Sequence, residues 1–117
     1  MVRTSLTPIV AAGSYQSALT ALTFTAGDNS NGNRFTPTGS ELIIVWNSHA
    51  TNAYTVTLTS VADGYGRLGT ITAESVAAVT YKMFGPIKQL GWQQTDGYIY
   101  LDCENAAIKY CIITLPR

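Results

Sequence analysis

The residues of this chain that could do chemistry are few and scattered. His49 is the only histidine among 117 residues, set between Ser48 and Thr51 in what reads as a loop between two strands. Nucleophilic or proton-transfer catalysis needs a nucleophile, a base within reach and a group that orients the base. The members of a Ser-His-Asp set need not be adjacent in sequence, but no nucleophile-elbow motif accompanies His49, which reads as an exposed loop residue. The acids Asp28, Glu41, Asp63, Glu74, Asp96, Asp102 and Glu104 are dispersed. Nothing in their spacing sets two carboxylates across a cleft, as glycoside hydrolysis requires. No catalytic residue is expected, and the chain does not read as an enzyme.

Ligand-holding motifs fare no better. Asp28-Asn29-Ser30-Asn31-Gly32-Asn33 offers alternate oxygen ligands before a glycine, as a calcium loop does, but lacks the closing bidentate glutamate and the charge for tight binding. An Asn-rich loop of Asx-turns is the expected reading. One histidine and two cysteines make no zinc set. Gly64-Tyr65-Gly66-Arg67-Leu68-Gly69 has the spacing GxGxxG, yet it follows a threonine-rich strand and leads into Thr70-Ile71-Thr72, another strand, where a dinucleotide site needs a helix N-terminus. It is better described as a glycine-rich hairpin carrying an exposed Tyr65 and Arg67. No metal and no cofactor are expected.

The elements that would position these residues are strands. Tyr54, Val56 and Leu58 alternate with Thr55, Thr57 and Thr59 within Ala53–Ser60, the period of a half-buried strand with threonines on its outer face. Glu41–Asn47 is a short, nearly continuous apolar run rich in β-branched residues, which predicts a central strand covered on both faces. Further strands are expected at Leu19–Thr25, Gly69–Ala73, Ala77–Phe84, Tyr98–Cys103 and Ile108–Leu115. Between them, residues 26–40 collect three of the ten glycines, three asparagines and Pro37, the composition of an irregular loop. Asp96-Gly97 suits a tight turn, and Gly85-Pro86 is expected to end a strand. Short strands at regular spacing predict an all-β fold, an antiparallel sandwich or barrel. Residues 19–117 form the domain, and residues 1–18, rich in small residues and without a pattern, form an N-terminal arm that is either a loose tail or a strap onto a neighbouring subunit.

Cys103 and Cys111 fall on what reads as one hairpin, turning at Asn105-Ala106. That register sets Asp102 against Lys109, Tyr100 against Cys111 and Cys103 against Ile108. The two thiols then point to opposite faces and stay free, as suits a reducing compartment. A shift of one residue would bring them nearer.

Composition bounds the partners. Seven basic and seven acidic residues leave a formal net charge of zero, with only 12% of residues charged. Binding a phosphate backbone needs a basic surface, so nucleic acid is not expected as a partner. No stretch has the length of a signal-peptide core or a membrane-spanning helix, so a membrane is not expected either, and synthesis in a cytoplasm is. A neutral, charge-poor surface favours self-association. Trp46 and Phe84 lie in apolar runs and are expected in the core. Tyr65, Arg67 and Trp92 lie in loop-like segments and are of the kinds that anchor interfaces; exposed aromatic rings also stack on sugars, which keeps a carbohydrate-binding module open.

Asn31-Gly32-Asn33-Arg34-Phe35, then Gly39-Ser40-Glu41-Leu42-Ile43-Ile44-Val45-Trp46-Asn47, the threonine-rich strand, Asp63-Gly64-Tyr65-Gly66-Arg67 and Phe84-Gly85-Pro86 together resemble small virion proteins of tailed bacteriophages. Those are the capsid decoration, or cement, proteins, and the likeness spans roughly residues 24–115. The resemblance implies a β-sandwich of jelly-roll type, a homotrimer on the outside of the shell, and the major capsid protein as partner. It brings no catalytic residue. The interface candidates are Tyr15 in the N-terminal segment, Arg34 and Phe35 in the Asn-rich region, and Tyr65, Arg67 and Trp92. A carbohydrate- or receptor-binding module and a minor head-tail or tail protein are the alternatives.

Overall fold

The computed structural model describes residues 3–11, 21–62, 65–89 and 91–115. Within the described residues there is no helix; the alternations seen in the sequence become ten strands. In β5 (Glu41–Asn47) the residues Glu41, Ile43, Val45 and Asn47 point inward and are fully buried, while Leu42, Ile44 and Trp46 between them are half-buried on the outer face. β6 (Tyr54–Leu58) sends Val56 and Leu58 inward and leaves Thr55 and Thr57 outside, as expected of a pleated chain with one apolar parity.

Ten strands form two sheets. The first runs β1 (Thr4–Ser5), β4 (Asn33–Phe35), β9 (Ile99–Cys103), β6, β7 (Ile71–Val76); the second runs β2 (Ile9–Val10), β10 (Ile108–Thr114), β5, β8 (Tyr81–Ile87). β3 (Thr25–Ala26) shares the outer edge of β10 with β2, pairing at Lys109 and Tyr110 where β2 pairs at Ile113 and Thr114. The sheets are mixed, which corrects the expectation of an antiparallel fold: β1 lies parallel to β4 and β2 parallel to β10, and all other pairs are antiparallel. Four antiparallel pairs nest around the β6-β7 connection, from β6·β7 outward through β5·β8 and β4·β9 to β3·β10.

Both sheets contribute to one core. Phe35, Val56, Leu58, Val76, Ile99 and Leu101 come from the first; Ile43, Val45, Ile87, Ile108, Tyr110 and Ile112 come from the second. Residues 3–11 tie the layers at one side, because β1 extends the first sheet, β2 the second, and Leu6 between them is buried. Of the arm expected over residues 1–18, this stretch is strand-paired to its own domain. Residues 12–18, with Tyr15, lie outside the described residues.

Several local expectations are corrected. β9 and β10 form no hairpin: they belong to different sheets, and the Glu104–Ala107 link crosses from one layer to the other. Cys103 therefore stands opposite Val56 and Cys111 opposite Ile44, and both thiols are free. Asp102 meets Arg3 at 2.8 Å instead of Lys109, whose ammonium lies 5.3 Å over the Trp46 ring. Trp46 itself faces outward, stacked on Tyr81 at 5.5 Å and met edge-on by Phe24 at 5.6 Å. An outer aromatic cluster, not the core, explains why both parities of β5 read as apolar. Part of the supposed loop 26–40 is strand, β4. Finally, β8 continues through the cis Gly85-Pro86 bond to Ile87. β8 is an edge strand and needs no second ladder. Gly85, at φ +108°, absorbs an extra residue as a bulge opposite Glu41–Ile43, where a Cβ would meet the Ile87 amide nitrogen at 2.7 Å.

Candidate functional site

The connections gather at two ends, and one end carries the long loops. Residues 59–70 join β6 to β7, residues 88–98 join β8 to β9, and residues 36–40 join β4 to β5. Their bases are fastened to one another. The Val61 amide donates to the Gly91 carbonyl at 2.7 Å. Gln94 Nε2 donates to the Thr59 carbonyl at 3.0 Å and Gln89 Nε2 to the Pro37 carbonyl at 3.1 Å. Within the first loop, the Ser60 hydroxyl accepts from the Gly69 amide at 2.8 Å and meets the Thr70 hydroxyl at 3.1 Å. Two long loops thus acquire fixed stems, and the first of them carries Tyr65 and Leu68 clear of the core.

The tip of the first loop is apolar and exposed: Tyr65 is 86% exposed and Leu68 68%. The Arg67 guanidinium lies 5.1 Å over the Tyr65 ring, a cation-π contact. In the second loop Trp92 turns its ring onto the core. Between the two loops lies a cleft of about 360 Å³ bounded by Ser60, Val61, Arg67, Leu68, Gly91 and Trp92. Three of the six residues singled out in the sequence, Tyr65, Arg67 and Trp92, are therefore brought to one end of the molecule.

Glu41 anchors the same end from beneath. It is fully buried, and its carboxylate accepts from the Thr38 amide at 2.7 Å, the Thr38 hydroxyl at 2.6 Å, the Gly39 amide at 3.1 Å and the Thr114 hydroxyl at 3.0 Å. Burial pushes its pKa up, but these four donors together outweigh burial and leave it below the ordinary glutamate value. The group is a structural anion that holds the 36–40 turn against β10. Sequence reading placed Glu41 only as the start of a strand; its shared parity with Ile43 and Val45 was the signal that it points inward.

The other candidates lie elsewhere. Phe35 is fully buried in the core, which corrects its reading as an interface residue: in β4 its parity turns it inward. Arg34, its neighbour, faces out, with its guanidinium 4.1 Å over the Tyr98 ring and Nε donating to Ser5 Oγ at 3.3 Å. Beside it Arg3 lies 4.0 Å over Tyr100. The Tyr100 hydroxyl donates to Asp96; this bond, then the Tyr98 amide and Arg34, hold the Asp96 carboxyl below its ordinary pKa against a smaller desolvation effect. Arg3, Tyr98 and Tyr100 were not among the sequence's interface candidates, although Tyr100 and Asp102 share one parity of β9 and Tyr98, just before the strand, continues it.

The remaining chemistry-bearing residues serve turns. Asp28 Oδ1 accepts from the Ser30 and Asn31 amides at 3.1 and 3.0 Å, and Oδ2 from the Thr4 hydroxyl at 2.6 Å, the Asx-turn geometry expected of that loop. His49 Nδ1 accepts from the Asn52 amide at 3.0 Å and the Thr51 amide at 3.2 Å. Among the described residues no three metal-ligating side chains come together. No family model, curated protein or solved structure matches this chain.

Proposed function

We propose that this chain is a structural virion protein that binds the outside of a tailed-phage capsid and stabilises it. The carrying observation is the exposed pair Tyr65 and Leu68 on a loop whose stem is pinned to the 88–98 loop. A rigid base under apolar, aromatic tips presents contact area at low ordering cost, as interface anchors do. The strand order supports the finer fold in this reading. With the short β1 and β2 set aside, β3-β10-β5-β8 and β4-β9-β6-β7 form two layers of four antiparallel strands, the arrangement of a jelly-roll sandwich, a fold used by capsid proteins and lectins alike. The sequence resemblance to decoration proteins points the same way, and with it come the homotrimer and the major capsid protein as partner. Stabilisation follows from linkage: a module that binds the assembled lattice and not its free subunits shifts the equilibrium toward the lattice, and several contacts per particle add avidity.

Co-sedimentation with purified empty shells tests this. The wild-type chain is expected to pellet with shells, and a Tyr65→Ala/Leu68→Ser variant to bind at least tenfold more weakly while keeping its thermal midpoint. A wild-type chain that stays in the supernatant at saturating shell concentration sinks the proposal. The cleft beside Trp92 favours one second reading, a carbohydrate-binding module. A glycan array bound by the wild-type chain and not by Trp92→Ala, without shell binding, would establish it instead.

A further inference from the structure

Asn31-Gly32 is the one Asn-Gly pair in the sequence, the peptide unit most prone to rearrange in water. The Gly32 amide nitrogen, with no side chain on its own residue to hinder it, can attack the side-chain carbonyl carbon of Asn31. The new bond closes a cyclic succinimide, Nδ2 leaves as ammonia with the proton from Gly32, and water then opens the ring at either carbonyl to give aspartate or isoaspartate. Asn29-Ser30, just before it, undergoes the same reaction more slowly.

In the folded chain the atoms that would react are held by one residue, Asp28. Its backbone carbonyl accepts from the nucleophile, the Gly32 amide, at 2.8 Å. Its carboxylate accepts from the leaving group, Asn31 Nδ2, at 3.3 Å, from the Asn31 amide at 3.0 Å, and from the Ser30 amide, the nucleophile toward Asn29, at 3.1 Å. β1 closes this cage from outside: the Thr4 hydroxyl donates to the same carboxylate at 2.6 Å, and the Thr4 amide to the Gly32 carbonyl at 3.0 Å. The glycine cannot be exchanged for a safer residue. It sits at φ +79°, and a Cβ there would run into the Arg3 guanidinium and come within 2.5 Å of Asp102 Oδ1.

We infer that Asn31 is a modification site guarded by Asp28, and that its conversion is a one-way switch on the β1 end of the 3–11 segment. The reaction is confined to the fraction of time in which the 27–32 turn is open, because only then is the Gly32 nitrogen free to turn toward the side chain. Either product keeps the turn from closing again. An aspartate at position 31 sets a second carboxylate where Asn31 Nδ2 now donates to Asp28, and two carboxylates that close repel. An isoaspartate lengthens the backbone by one carbon just before Gly32, where Arg3 and Asp102 leave no room. Thr4 then loses the turn to which it is bonded, and β1 is released from its place beside β4.

Incubation of the full-length chain at mildly alkaline pH, followed by peptide mapping with mass spectrometry, tests the inference. Asn31 is expected to convert at least tenfold more slowly in the native wild type than in the same chain unfolded in urea. Asp28→Ala is expected to raise the native rate at least fivefold, and Asp28→Asn, which keeps an oxygen for the Ser30 and Asn31 amides, to fall between. Asn47-Ser48 is the internal reference for unfolding, since Asn47 is buried in β5, and its conversion is expected to stay slow throughout. Should Asp28→Ala unfold the chain and convert Asn47 as well, Thr4→Val decides: it removes only the hydroxyl bond to Asp28 and is expected to speed Asn31 at least twofold with Asn47 unchanged. Asn31→Asp is expected to stay folded with a lowered thermal midpoint, losing hydrogen-exchange protection at the Thr4 and Leu6 amides, which donate to Gly32 and Arg34. A native chain that converts Asn31 as fast as the unfolded one, guard variants that leave the rate unchanged, or an Asn31→Asp chain with β1 as protected as in the wild type would each overturn the inference.

Discussion

The two ends of β5 carry the same device in two chemistries. Asn47 and Glu41 are both inward-pointing and fully buried, and each fastens chain segments at its end through its side chain. Asn47, a neutral amide, donates to the Asn52 and Val76 carbonyls at 2.8 and 2.9 Å and accepts from the His49 amide at 3.0 Å; its own backbone carbonyl receives the Val79 amide at 2.9 Å. Four short connections, 27–32, 48–53, 77–80 and 104–107, lie at that end, and Ser48 is bonded to Ala107 through both its amide and its hydroxyl. Glu41, an anion, holds only the 36–40 turn and β10. The long loops beside it fasten to each other, leaving Tyr65 and Leu68 in solvent. A neutral hub closes one end of the molecule; a charged hub leaves the other open, with its grip dependent on ionisation.

The comparison breaks first at Asn47. Asn47→Ala strands several buried carbonyl and amide groups, and is expected to cost about 3 kcal/mol by chemical denaturation. Loss of hydrogen-exchange protection should be confined to 48–53 and 77–80; an equal loss in 59–70 would mean that the ends are not independent. Glu41→Gln puts an amide donor where two backbone amides and two hydroxyls already donate, and about 2 kcal/mol is expected. Its pH signature separates the hubs. Because the folded pKa of Glu41 lies below its unfolded value, its contribution is complete above the unfolded pKa and fades as pH falls through the folded one. Stability followed from pH 7 to 3 should therefore show a shallower acid loss in Glu41→Gln than in the wild type, and an unchanged slope in Asn47→Ala. Gly27→Ala, at the closed end, is expected to cost about 1–2 kcal/mol, because its Cβ would come within 2.5 Å of Cys103 Sγ and 3.2 Å of the Tyr110 ring. Smallest of all, Tyr65→Ala at the open end should move stability by no more than about 0.5 kcal/mol, its effect appearing in binding alone.

Much of this was legible where a strand has one apolar parity. Tyr54–Leu58 and Glu41–Asn47 could be located because period-two alternation or a β-branched run has few other meanings. The loops carrying Tyr65, Arg67 and Trp92 could be located because glycine and polar residues interrupt the strands there. Pairing was not legible. Tyr98–Cys103 and Ile108–Leu115 look like a hairpin by proximity and by the Asp102/Lys109 charges, but a four-residue link serves equally to cross between layers, and Arg3, far away in sequence, takes Asp102. Trp46 illustrates a second limit: hydrophobicity says that a side chain is covered, not by which layer, and an aromatic cluster on the outside of a sheet satisfies it as well as the core does. Glu41 and Asn47 show a third. A polar residue on the buried parity is visible in the string, but its donors, from turns 36–40 and 48–53, exist only once the chain has folded.

The nested pairing of strands also says something about the order in which this chain can fold. Leu58 with Ile71 closes the shortest loop, and once β6 and β7 are paired out to Tyr54 with Val76, Trp46 with Tyr81, Phe35 with Ile99 and Ala26 with Lys109 each close only the small increment left by the pair inside it. The entropy of closure, large if the outermost pair formed first, is divided into steps that each resemble extending a hairpin. The 59–70 loop sits at the origin of that zipper, so lengthening it should slow folding as well as alter the surface it presents.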